Sequence, residues 1–297
     1  MLGAVRSMLA GLVLAGLVAG GCAAFPVTFP NTTPGAPRTI PGWLSGPSGS
    51  GPFPALVLLH GCEGITGTTH GWARWLNERG YVTLVVDSWT PRGLAETCSI
   101  ESPDVPSSER FDDALGAVRF LGSRPEVDAA RIGAIGWSNG GVFAMSLVNG
   151  PTYERARRRG VTVPQPGVRA AVAVSPGGCY SLVEELAVRP LLVLIGDADD
   201  WTVPGPCVEM VNAMRGRGAD VSIVLYPGAV HYFDVEGLPR SYLPRVANRN
   251  KPGGCCGATV GYDAAASADA HRRIADFFGY HLGAAGAPGS RRPSPGQ

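Results

Sequence analysis

Short, predominantly apolar runs recur along the chain at residues 55–59, 81–86, 132–135, 168–174, 191–195 and 221–226, that at 55–59 unbroken, and Gly, Pro, Asp or His bounds each of them on at least one side. Runs of that length and continuity belong to strands buried on both faces. Between them the apolar positions spread to a helical period. Phe111, Leu115, Val118 and Leu121 precede Gly122, and Ile274, Phe277 and Phe278 mark one face of a closing helix over 264–280. Further helices are predicted over 72–79, closed by Gly80, and over 208–215, with another running out of Ser138. An earlier strand is predicted over 39–45. The Arg-rich stretch 151–167 reads as a surface helix or flap, and 237–261 as irregular. Strands alternating with helices predict a mostly parallel central sheet with helices on both faces, in one domain over 39–282. Residues 25–38, rich in Pro and Thr, read as a tether, and 283–297 as a disordered tail.

The first 24 residues carry a different pattern. Arg6 precedes an apolar stretch over 8–18 that is too short to span a bilayer, followed by Ala19-Gly20-Gly21-Cys22. This has the form of an export signal. It resembles a bacterial lipoprotein signal, which would make Cys22 a lipidated first residue; plain cleavage near Ala24 is the alternative. The expected location is the cell envelope, membrane-anchored or secreted. In that setting the remaining six cysteines, Cys62, Cys98, Cys179, Cys207, Cys255 and Cys256, form an even set suited to disulfides. Cys62 with Cys98 and Cys179 with Cys207 are the favoured pairs, because each couples loops that leave neighbouring strands. Adjacent Cys255 and Cys256 are left open. Zinc is disfavoured: no C-x-x-C pair occurs.

Composition narrows the class of partner. Formal net charge is +1 and hydrophobic residues make up 45% of the chain, so it has material for a large core and no electrostatic footprint for nucleic acid or anionic lipid. Any membrane contact is expected only through the lipid anchor. Lys251 is the sole lysine; the Arg, Ala and Gly bias carries no functional message.

The candidate chemistry lies where the apolar runs end. Gly136-Trp137-Ser138-Asn139-Gly140 fits G-x-S-x-G, with an apolar run leading in and a helix-like run leading out. The turn is tight enough to favour glycine at its flanks. Ser138 is the candidate nucleophile. His231, after the last run and a Pro-Gly turn, is the candidate base. Asp197, Asp199 and Asp200 compete for the orienting carboxylate, and Asp199 is preferred. Backbone N–H groups of Asn139 and Cys62 are the candidate oxyanion donors. His60 is expected to hydrogen-bond its own loop, and Asp87 to be structural or near the substrate. Arg92 reads more readily as a surface arginine than as a clamp for a substrate carboxylate. The order Ser…Asp…His is that of the α/β-hydrolase fold.

Four stretches together resemble the dienelactone hydrolase family. They are Pro54-Ala-Leu-Val-Leu-Leu-His-Gly61, Val127-Asp-Ala-Ala-Arg-Ile-Gly-Ala-Ile-Gly-Trp-Ser-Asn-Gly-Gly141, Ile195-Gly-Asp-Ala-Asp-Asp-Trp201 and Tyr226-Pro-Gly-Ala-Val-His231. The resemblance implies an α/β-hydrolase fold and a triad on Ser138, Asp199 and His231, with no metal or cofactor. The family's namesake enzymes use a cysteine nucleophile, whereas this chain has Ser138. General carboxylic ester or lactone hydrolysis is therefore a better expectation than the namesake lactone. A serine peptidase or thioesterase on the same triad is the enzymatic alternative, and a tethered binding protein the non-enzymatic one.

Overall fold

The structure, a computed structural model, describes residues 24–283; the expected signal segment with Cys22 and the expected tail after 283 lie outside the described residues. Among the described residues, ten strands and six α-helices follow in chain order. They are β1 (Phe25–Pro30), β2 (Thr39–Ser45), β3 (Phe53–Leu59), α1 (Gly67–Asn77), β4 (Val82–Val86), α2 (Ser107–Gly122), β5 (Val127–Trp137), α3 (Asn139–Ser146), α4 (Gly150–Arg158), β6 (Ala170–Val174), β7 (Leu191–Gly196), α5 (Pro204–Gly216), β8 (Val221–Tyr226), β9 (Ser241–Leu243), β10 (Ala258–Val260) and α6 (Ala264–Leu282).

Eight strands form one sheet in the order β1-β2-β4-β3-β5-β6-β7-β8. From β4 to β8 all neighbours are parallel; β1 and β2 add an antiparallel edge. Alternate side chains of β3 enter opposite faces. Val57 and Leu59 share one core with Phe111, Leu115, Phe143 and Met210 from α2, α3 and α5, while Leu56 and Leu58 share the other with Trp72, Leu76, Ile274 and Phe278 from α1 and α6. This double burial is why the central strands read as unbroken apolar runs.

Two segments depart from the sequence reading. Residues 25–30 are not a tether but β1, paired with β2 from Phe25 opposite Leu44 to Pro30 opposite Thr39. Prolines at 26 and 30 made the stretch look non-strand, but an edge strand tolerates them because its outer N–H side needs no partner. The span 237–261 contains a two-stranded ribbon, β9 with β10. It is stitched to the sheet edge: Trp201 Nε1 donates to Ala247 O at 2.8 Å, Asn248 Nδ2 to Asp200 O at 2.8 Å, and His231 bridges to Val260. The Arg-rich stretch folds as α4, which buries Ala156 and exposes its arginines.

Register sets the position of the site. Leu59 pairs with Gly136, Trp137 with Val174, and Gly196 with Tyr226. The residues just beyond, His60, Ser138, Ser175, Asp199 and His231, therefore share the carboxyl edge of the parallel strands, where open α/β sheets bind ligands.

Candidate active site

Between β5 and α3 the chain reverses within one residue. Ser138 has φ 50° and ψ −116°, a region that costs a non-glycine residue about 1–3 kcal/mol. The flanking glycines make the turn possible. A Cβ on Gly136 would lie 2.2 Å from Gly140 O, and one on Gly140 would lie 2.0 Å from Leu59 O. The strain lifts Ser138 to the N-terminus of α3, where free N–H groups and the helix dipole favour negative charge. Ser138 is 5% exposed and lines a cavity of about 540 Å³, together with Asn139, Cys62, Trp89, Arg110 and Trp201.

Beyond β7 and β8 the site is organised by side-chain hydrogen bonds. Fully buried His231 donates Nδ1–H to Asp199 Oδ2 at 2.7 Å. Asp199 Oδ1 accepts the N–H groups of Trp201 and Thr202 at 3.0 and 2.8 Å, and Thr202 Oγ lies 2.9 Å from Oδ2. With its proton on Nδ1, the neutral imidazole has its lone pair on Nε2, which has no hydrogen-bond partner among the described residues. Burial alone would depress the His231 pKa. The carboxylates of Asp199, Glu63 and Asp234 outweigh it, and the net direction is upward. Burial likewise opposes ionisation of Asp199, but His231 and the Thr202 donors pull its pKa below the usual carboxylate range.

The three competing acids have different partners. Asp197 Oδ1 accepts from Gly228 N–H at 2.6 Å, tightening the turn before His231. Asp200 accepts the N–H of Thr259 at 2.7 Å, anchoring β10. Only Asp199 of the three bonds His231.

The remaining candidates are placed as follows. Cys62, on the loop after β3, and Asn139, at the first position of α3 after β5, both line the cavity, on segments that leave neighbouring strands. Cys62 faces Cys98 with Cα atoms 4.9 Å apart, and Cys179 faces Cys207 at the same separation; all four line the cavity wall. Cys255 and Cys256 form an adjacent pair. Cys62, Glu63 and Cys98 are grouped within 4.8 Å, a spacing that suits a metal, but the two sulfurs there face each other at bonding distance. Asp87 is structural: its carboxylate accepts the N–H groups of Trp89 and Thr90. Arg92 is not a surface arginine. Its side chain is 6% exposed and ion-paired to Asp113 at 2.8 Å and Glu109 at 3.2 Å. His60 Nε2 accepts from Ser88 N–H at 3.2 Å, so the proton sits on Nδ1, which donates to Gly61 O at 2.7 Å.

Four further residues at the site escaped the sequence reading. Glu63, its pKa raised by burial, accepts from Tyr232 Oη at 2.9 Å. Thr202 braces the acid. Asp234 accepts the indole N–H groups of Trp72 and Trp137 at 2.9 and 2.8 Å. Arg110 is buried at 1% exposure on the cavity wall. Glu63, Thr202 and Asp234 each lie within three residues of a candidate, which is a usable signal. Arg110 has none.

A mostly parallel sheet with an elbow serine, a strand-end acid and a histidine after the last strand of that sheet defines the α/β-hydrolase class. Within it, the dienelactone hydrolase family profile matches residues 40–282. The chain belongs to the dienelactone hydrolase family and is a hydrolase. A Bradyrhizobium protein named "Probable 2-oxo-3-(5-oxofuran-2-ylidene)propanoate lactonase" is 25% identical over 212 residues, 69% of this chain and 83% of that one. Human acyl-coenzyme A thioesterase 1 is 25% identical over 279 residues, 82% of this chain but 64% of its own length. A dienelactone hydrolase-like promiscuous phosphotriesterase from metagenomic libraries shares the fold with a TM-score of 0.61 at 22% identity, covering 88% of this chain and 100% of that one. Thermogutta terrifontis esterase 2, phosphorylated by paraoxon, has a TM-score of 0.59 at 16% identity, covering 91% of this chain and 97% of that one.

Proposed function

We propose that the protein hydrolyses carboxylic esters, lactones among them, through an acyl-enzyme on Ser138. Ser138 Oγ attacks the carbonyl carbon while His231 Nε2 takes its proton, then returns that proton to the leaving alcohol. Asp199 holds the ring in the tautomer that leaves Nε2 free and stabilises the imidazolium. The N–H groups of Asn139 and Cys62 receive the oxyanion; at the first position of α3, the Asn139 N–H has no intrahelical acceptor. The observation that carries the reading is the His231–Asp199 bond at the same carboxyl edge of the sheet as the strained elbow serine, with Nε2 buried and without a hydrogen-bond partner among the described residues. The test is intact-mass analysis during turnover of a slow p-nitrophenyl ester. An acyl adduct mapping to Ser138 is expected; an adduct on any other residue sinks the mechanism.

Thioester cleavage is the second reading, favoured by the relatives named as acyl-coenzyme A thioesterases. A higher kcat/KM on acyl thioesters than on matched oxygen esters would select it.

We also propose export, lipidation at Cys22, and disulfides joining Cys62 to Cys98 and Cys179 to Cys207. The sequence separations of 36 and 28 imply about 3–4 kcal/mol for each in the chain-entropy view. Cys22→Ala should move the protein from the membrane fraction to the soluble one, with the activity of the purified protein unchanged. Equal soluble recovery of both forms excludes the anchor, and alkylation of unreduced Cys62 or Cys179 excludes the pairs.

A further inference from the structure

We infer that Arg110 is a positioning residue for the oxyanion site, its guanidinium spanning the two segments that carry the Asn139 and Cys62 donors. The inference rests on the ester-hydrolysis reading above. Arg110 enters from the first turn of α2. One terminal nitrogen, Nη1, donates to Asn139 Oδ1, the side chain of the residue whose N–H is one donor. The other, Nη2, donates to His60 O, two residues before Cys62. A planar guanidinium bonded at both ends fixes a separation that a single contact cannot.

The two segments already touch. A Cβ on Gly140 would fall 2.5 Å from His60 O. That contact limits how closely they approach but does not stop them sliding past each other. The two-ended bridge supplies that constraint. His60 is itself held from behind by Ser88 N–H and by its bond to Gly61 O. Burial and the Arg110 charge keep its pKa well below the usual histidine value, so it stays neutral beside the cation.

The electrostatics favour a functional placement. Arg92 answers burial with two carboxylates. Among the described residues Arg110 has no ion-pair partner; it lies over the rings of Trp89 at 4.5 Å and Phe143 at 5.1 Å and bonds neutral oxygens. Asp113 and Glu63 act on it only from a distance. A buried cation without a paired carboxylate is costly. Its charge sits on the cavity wall without a carboxylate in direct contact, where negative charge develops during attack.

The test uses wild type, Arg110→Met and Arg110→Lys, each normalised to active sites counted with a fluorophosphonate. The Met variant should lose about 30-fold in kcat with KM within about threefold, on the scale of a weakened oxyanion donor. Lysine keeps the charge but reaches one acceptor, so it should fall between. An aryl trifluoromethyl ketone adds a structure-independent readout. Ser138 Oγ bonds its carbonyl carbon, the carbonyl electron pair passes to oxygen, and the serine proton passes to His231. Fluorine NMR then follows ionisation of the hemiketal with pH. It should be ionised at neutral pH in wild type and require a more alkaline pH in Arg110→Met. Wild-type kcat and hemiketal ionisation in Arg110→Met would overturn the inference while leaving the acyl-enzyme standing. A wild-type hemiketal that stays protonated at neutral pH would overturn the oxyanion reading itself. If the Met variant does not fold, Asn139→Ala carries the test by deleting one anchor of the bridge: a kcat loss of similar size supports the inference, and unchanged kcat overturns it.

Discussion

Ser138 and His231 lie on the same edge of the sheet, yet they are fixed in place by different physics. Around Ser138 the constraint is steric and belongs to the backbone. Gly136 approaches Gly140, Gly140 approaches Leu59, and the serine takes up the strain at φ 50°. Around His231 the constraint is a set of directed bonds: Nδ1 to Asp199, and Asp199 to two backbone N–H groups, with Thr202 Oγ beside it. A steric constraint tolerates almost no substitution but needs no charge. A hydrogen-bonded one survives isosteric changes in shape and fails when charge or tautomer changes. The two halves should therefore fail differently.

Deleting the group that the steric half presents has the largest expected effect. Ser138→Ala should lose roughly six orders of magnitude in kcat, and Asp199→Asn about four with the fold retained, because the amide would favour the wrong imidazole tautomer. Asp197→Asn and Asp200→Asn should keep near-normal kcat, since their partners are Gly228 and Thr259. Steady-state kinetics on one ester across the four variants makes the comparison. Loss in Asp197→Asn or Asp200→Asn with an active Asp199→Asn would reassign the acid.

The same contrast explains what could be read from the chain alone. The steric half is local: an apolar run, glycines at fixed offsets and a helix are contiguous in sequence, so the elbow and the parallel strands around it are legible. The hydrogen-bonded half is legible only to the level of the element. The sequence places three acids after β7, but choosing among them depends on which backbone N–H groups fold back onto each. Those come from residues 228 and 259 for two of them. Arg110 is the least legible. Beside Glu109, Asp112 and Asp113 it looks like part of a solvated helix face, and only the approach of α2 to the β3 and β5 loops buries it. The first strand was hidden by its prolines, which argue against a central strand but not against the edge position β1 takes.

Asp234 is where the two halves meet, and it supports the smallest effect predicted here. It follows His231 by three positions and accepts the indole N–H of Trp137, the residue before the nucleophile. Its role can be split by charge. Both indoles bond the same oxygen, so Asp234→Asn keeps an acceptor in place while removing the negative charge. Burial pushes the Asp234 pKa up, with the two indoles and His231 opposing it, and an ionised Asp234 in turn helps to raise that of His231. His231 must be neutral to act as base, so kcat/KM falls as pH drops through its raised pKa. Removing a nearby negative charge destabilises the imidazolium and lowers that pKa. The acid limb of the profile should then move to lower pH, by less than about one pH unit, with the plateau rate kept. Asp234→Ala should instead lower the plateau, because Trp137 loses its anchor beneath the elbow. An acid limb that stays in place in Asp234→Asn would mean that Asp234 is protonated at the working pH. His231 would then be tuned by Asp199 and Glu63 alone, and Asp234 would serve only the steric half.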